Sequence, residues 1–262
     1  MKSGRIKKVT LGLAAVGFGL IIIASQFPSQ KLSIDTLPLT KNERSSDAPD
    51  FASINDIAAK KVTFFDYLRP KVEQQNRVVA REREFLLSIK QSVKDQRALT
   101  ELEREQLTTI AHNYRFEARK LDEESIKGLL ERVDVLPTEM VLVQAANESG
   151  WGSSRFAVEG NNYFGQWCFS KGCGLVPNAR SSGLNHEVAR FKDVDASVAS
   201  YLNNVNTNPA YQELRKVRSW LRAAEQPVEA KDLIPSLTAY SERKQDYVDE
   251  LLDMLVHNRR LL

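Results

Sequence analysis

The stretch "QAANESGWGSSRFAVEGNNYFG", from Gln144 to Gly165, carries a carboxylate where a helix is about to end. Val141, Ala145 and Glu148 fall at i, i+4 and i+7, so Glu148 continues an apolar helical stripe. A carboxyl shielded from water loses the solvation that favours its charged form, and its pKa rises. The negative end of the helix dipole pushes the same way. A glutamic acid kept protonated near neutral pH is suited to hand a proton to a leaving oxygen, which is general-acid work. Gly150 and Gly152 allow a sharp turn after it, and Trp151 either packs under that turn or lines a sugar-binding cleft. The competing reading of Glu148 is a solvated helix end with no chemistry.

The elements around it read as mostly α. Two charged amphipathic helices fill residues 54–114, the first with Phe64, Phe65, Leu68, Val72, Val79, Phe85, Leu86 and Ile89 near helical spacing. The second starts near Thr100 and turns Leu102, Leu107 and Ile110 inward. Their many Arg and Glu residues read as solvated faces with i,i+4 pairs. A third helix follows Asp122 and closes at Val133. Pro137 then takes the first turn of "PTEMVLVQAANES", which stops at Gly150. Gly, Asn, Ser and aromatic residues dominate through Gly183, and "HEVARF" alternates as a strand, half of a small hairpin. Asp195 caps a helix with Val198, Tyr201, Leu202 and Val205 on one face. Asn208-Pro209 breaks it and opens another, and Tyr247, Leu251, Met254 and Leu255 mark a C-terminal amphipathic helix. Tyr201 and Tyr247 read as packing.

A hydrophobic fraction of 42% in 262 residues supplies a core for one good-sized domain plus an accessory segment. A net charge of +3, with both signs mixed along the chain, argues against a nucleic-acid binder. Lys2, Arg5, Lys7 and Lys8 precede the uncharged residues 9–27, a signal peptide or, from its length, a signal anchor in the inner membrane. Ser, Pro, Asp and Lys then make residues 28–53 a flexible tether. Residues 54–121 follow as a helical segment and 122–262 as the catalytic domain. Either export reading puts the chain in an oxidising compartment, where Cys168 and Cys173, with Gly172 between them, form a short disulfide loop. No metal set is complete, since two thiols and a distant His186 lack partners.

"AANESGWGSSRFA" followed by "GNNYFG" resembles the glucosaminidase domain of glycoside hydrolase family 73. That signature is a helix ending in Glu-Ser-Gly-Trp-Gly with Asn-Asn-x-Phe-Gly shortly after. "FGQWCFSKGCGLVP" and the helices before the domain resemble a branch of exported bacterial members. The resemblance implies a mainly α, lysozyme-like domain with a small β lobe. It also implies cleavage of the β-1,4 bond between N-acetylglucosamine and N-acetylmuramic acid in peptidoglycan glycan strands, in the bacterial periplasm.

Glu148 matches the family's general acid, and Glu187 is the nearest match to a second acid on the β lobe. Glu187 is alternatively a strand residue facing water, with the substrate's own N-acetyl group as nucleophile. Asn162, Tyr163 and Phe164 match the second motif as substrate contacts, or as architecture that orders the loop. Tyr240 matches a cleft-facing tyrosine, although Ser241-Glu242-Arg243 follows where an Ala-Thr pair is common. A proton donor and water suffice for such hydrolysis, so no cofactor is implied. An N-acetylmuramidase or lytic transglycosylase, or a wall-binding protein with weak turnover, remain as alternatives.

Overall fold

The computed structural model describes residues 48–117, 120–177, 186–238 and 243–262, which fall in one compact unit, Ser45–Leu262. Residues 1–27 and most of the tether lie outside the described residues. Among the described ones, no helix is long and apolar enough to cross a membrane.

The architecture is mainly α with a small β lobe, as the sequence predicts. Helix α1, Ile57–Lys94, begins where the Asp56 carboxylate accepts from the Ala59 N–H at 2.7 Å. A Thr100–Glu103 capping box opens α2, Glu101–Asn113. Here one expectation fails: Leu102 is exposed. Glu103 turns in to the Thr100 N–H and to Arg97, so the inner stripe runs through Glu103, Gln106, Leu107 and Ile110. Helix α3 is Glu123–Arg132 and α4 is Thr138–Ser149, with Pro137 at the cap, one position ahead of the first turn.

The Gly- and Ser-rich texture after α4 hides a short helix, α5, Arg155–Gly160, capped by the Ser154 hydroxyl. The β lobe has strands β1, Trp167–Cys168, β2, Gly174–Leu175, and β3, Glu187–Ala189. They pair antiparallel in the order β1-β3-β2, so "HEVARF" supplies the central strand, with Val188 opposite both Trp167 and Leu175. Helix α6, Val194–Thr207, is capped by Asp193 rather than Asp195. Asp195 sits in its first turn and pairs with Lys71 at 3.2 Å. A 3-10 turn at Pro209–Tyr211 leads to α7, Gln212–Ala223, followed by α8, Ala230–Leu233, and α9, Gln245–His257.

Helix α1 packs on α3, α4 and α6, so residues 54–121 share one core with the helices that follow. Its arginines are not all solvated. Arg69 donates to the Leu261 and Leu262 carbonyls, and Arg83 to those of Leu130 and Val133. The second pair belongs to a larger device. A helix leaves its last carbonyls without intrahelical partners, and those of α3 are partly buried. Arg83 takes Leu130 at 2.6 Å, while Arg218, fully buried on α7, takes Glu131 at 3.0 Å and Arg132 at 3.4 Å. The Asp134 carboxylate balances the charge, 3.5 Å from Arg83, 3.7 Å from Arg218 and 3.1 Å from Arg222. Burial pulls the Arg218 pKa down to about 10, which still leaves it charged at neutral pH.

Candidate active site

Helix α4 ends in a left-handed turn, with φ of +55° at Gly150, +57° at Trp151 and +75° at Gly152. Ser149 locks this turn from inside: its hydroxyl donates to the Ala145 carbonyl at 2.6 Å and accepts from the Gly152 N–H at 2.8 Å. The Trp151 ring meets Phe64 and Phe65 edge-on at 5.7 and 5.3 Å, with the Lys61 ammonium 5.0 Å from its centroid. The packing reading of Trp151 holds. It packs against α1, and it also borders a cleft of about 750 Å³ shared with Asn147, Arg243 and Glu250. That cleft flanks Glu148 without being lined by it.

Phe51, inside the stretch read as tether, is buried between Phe64 and Tyr67 and lies over Gly152. A Cβ at position 152 would sit 2.4 Å from the Phe51 ring. Gly152→Ala is therefore expected to cost about 2–4 kcal/mol through overlap and left-handed strain, read by chemical denaturation.

Glu148 is partly buried, and desolvation raises its pKa above the ordinary carboxylate range; Glu250 raises it further. A hydrogen bond from Tyr247 and the charge of Arg243 oppose the rise. Tyr247 belongs to a chain of side chains with one direction. The Tyr201 hydroxyl donates to the Gln144 Oε1, the Gln144 Nε2 donates to the Tyr247 oxygen at 3.0 Å, and Tyr247 donates to Glu148. Tyr201 and Tyr247, read as packing, are buried but also form this relay. Gln144 carried no reading at all, although its place one turn before Glu148 on the same helical face is a signal. Tyr211 also feels the Glu148 charge, and burial pushes its hydroxyl up to about 12.

The second motif supplies the opposite wall. At Gly165 the backbone is left-handed, φ +62°, and a Cβ there would lie 3.4 Å from the Glu148 Oε2. Asn162, Tyr163 and Phe164 are each 1% exposed, so they present no surface to a sugar. Asn162 instead spends its amide on the backbone. Nδ2 donates to the Gln166 and Ala189 carbonyls at 2.9 and 2.8 Å, and Oδ1 accepts from Phe164 and Gln166 at 3.3 and 3.1 Å. Phe164 stacks on Tyr201 at 4.1 Å, and Tyr163 packs near Phe64. These residues hold the Gly165 loop against Glu148.

Glu187 is buried on β3 and does not face water. Its oxygens accept from the Gly172 N–H at 3.0 Å and the Gly174 N–H at 2.8 Å. It lies within 4.8 Å of Cys168 and Cys173, whose sulfurs are joined in the expected disulfide. That carboxylate and the disulfide clamp one loop. Tyr240 lies outside the described residues.

The glucosaminidase family model, described as mannosyl-glycoprotein endo-beta-N-acetylglucosaminidase, matches residues 123–259. Among characterised proteins, the chain is similar to Protein bax of Escherichia coli (strain K12). The identity is 36% over 223 residues, covering 84% of this chain and 77% of that one. No solved structure matches. The matched region holds the α4 turn, the Gly165 loop and α9, and the chain belongs to the glucosaminidase family of glycoside hydrolases.

Proposed function

We propose that the protein hydrolyses peptidoglycan, cutting the β-1,4 bond between N-acetylglucosamine and N-acetylmuramic acid, with Glu148 as general acid. The observation that carries this reading is the environment of Glu148: a shielded carboxyl with raised pKa, held between the Tyr247 hydroxyl and the Gly165 loop. A protonated Glu148 gives its proton to the glycosidic oxygen as the bond to the anomeric carbon breaks. The Tyr247 O–H then stabilises the carboxylate left behind, and the same carboxylate draws a proton from the incoming water.

The engagement of both Glu187 oxygens with backbone N–H groups supports a positioning role for Glu187. The substrate's N-acetyl carbonyl, attacking the anomeric carbon from the opposite face, is then the nucleophile. Export to the periplasm, with residues 9–27 as anchor, fits both the disulfide and the wall substrate.

Mass spectrometry of digested wall tests the bond. Reducing-end N-acetylglucosamine supports the proposal; reducing-end or anhydro N-acetylmuramic acid replaces it with a muramidase or transglycosylase. Tyr247→Phe tests the environment. Loss of the O–H removes a bond that favours the charged carboxylate, so the Glu148 pKa rises further. The alkaline limb of the pH–rate profile, where the acid loses its proton, is expected to move to higher pH with lower peak turnover. An unmoved limb would count against Tyr247 as the partner.

A further inference from the structure

The β lobe presents its largest aromatic side chains to solvent. Trp167 on β1 is 58% exposed and Phe169, just beyond the strand, is 75% exposed. Contiguous exposed apolar patches mark contact sites, and Trp167 and Phe169 stand two positions apart in the chain. The Trp167 indole lies flat against the His186 imidazole, centroids 4.1 Å apart and planes 16° from parallel. With one face covered in this way, the exposed area of the indole belongs to its other face and its edges.

The lobe that carries these rings is built more firmly than its strands require. Strands of two or three residues hold little by themselves. The Cys168–Cys173 bond closes the loop directly after Trp167, around Phe169. The buried Glu187 ties the far side of that loop through Gly172 and Gly174. Gln166, just before Trp167, is fixed to α6 by its Nε2 on the Ser197 carbonyl and its Oε1 on the Ser200 hydroxyl. The orientation is also set. Trp167 stands opposite Val188, on the sheet face whose Val188 and Leu175 are buried. It therefore extends, uncovered, the face that the rest of the sheet turns inward.

Trp167 is two residues from Gly165, at most about 7 Å along the backbone, and Gly165 lies beside the Glu148 carboxylate, where an added Cβ would come within 3.4 Å of Oε2. That separation is about one sugar ring. A β-1,4-linked amino sugar carries its bulky groups equatorially, so its axial C–H bonds form an apolar face with slight positive charge. The negative face of an aromatic ring is complementary to it.

We propose that Trp167, backed by His186 and flanked by Phe169, is a stacking platform for the pyranose ring next along the glycan strand from the bond cut at Glu148. The disulfide and Glu187 keep the platform in place. The inference rests on the glycan-hydrolase reading above.

The test uses the full chain carrying Glu148→Gln, so that substrate survives. Binding to insoluble purified peptidoglycan is read by co-sedimentation, and binding to an N-acetylglucosamine tetramer by titration calorimetry. Trp167→Ala is expected to weaken both about tenfold, Phe169→Ala about threefold, and Trp167→Phe to stay within threefold of the parent. In the active enzyme, Trp167→Ala is expected to raise KM about tenfold while saturating turnover falls less than threefold. Parental binding by both alanine variants overturns the platform, and Phe169, being so exposed, can be replaced without threatening the fold. Hydrolysis that persists in Glu148→Gln would overturn the acid assignment instead, while the binding comparison, made on the tetramer, still judges the platform.

Discussion

Glu148→Gln is expected to lower wall hydrolysis about 10³-fold, in line with the loss of a positioned general acid. The amide keeps the shape of the side chain and still accepts from the Tyr247 hydroxyl, but it has no acidic proton to give. The same variant carries a stability signature. Burial raises the folded-state pKa of Glu148 above its unfolded value. Ionisation above the unfolded pKa therefore costs folding free energy, and that cost disappears as pH falls below it. At pH 7 the Gln variant should melt at the same temperature as the parent or higher, with any gain vanishing in acid. Calorimetry beside a product assay separates the cases. An inactive, stable variant is the expected result. A variant that still releases sugars at more than a few per cent of the parental rate sinks the mechanism.

The second large effect is on stability. Arg218→Met is expected to cost about 3–5 kcal/mol, the range for breaking a buried charge cluster by removing one partner. Methionine roughly fills the space of the stem but donates nothing. The carbonyls of Glu131 and Arg132 would lose their donor, and of its three arginines Asp134 would keep Arg83 and Arg222. A fall in Tm on the order of 10 °C is the readout. Arg218→Lys tests the geometry, because one ammonium cannot span carbonyls that the planar guanidinium reaches together. It should recover less than half of the loss.

That cluster also shows why part of the fold was hidden in the sequence. Apolar spacing located α1, α3, α4, α6 and α9, because burial of one helical face leaves a periodic trace. It could not locate arginines that point inward. Arg83, Arg215 and Arg218 look like solvent-facing charge until the carbonyls that need their donors are known. Leu102 misled in the opposite sense, since the Glu103 capping box turned the helix face by one residue. Helix α5 was missed because six residues between glycines leave no period to read.

In the candidate site, the shielding of Glu148 was legible from the apolar stripe it ends. Its partner Tyr247 lies 99 positions further along the chain, and no spacing rule connects residues on different helices. The motif asparagine was legible as a residue but ambiguous in role. Only the four backbone groups around Asn162 distinguish a loop organiser from a sugar contact. Glu187 was ambiguous for the same reason, since the two N–H groups facing it lie on a different strand and loop.

The seat of Phe51 on Gly152 bears on how the protein tolerates proteolysis. A nick on the amino side of Ala48 would free a body that keeps its aromatic wedge under the α4 turn. A nick between Phe51 and Ile57, only a few residues later, would remove that wedge while sparing every helix from α1 onward. Two fragments of nearly equal mass would then differ in catalytic competence.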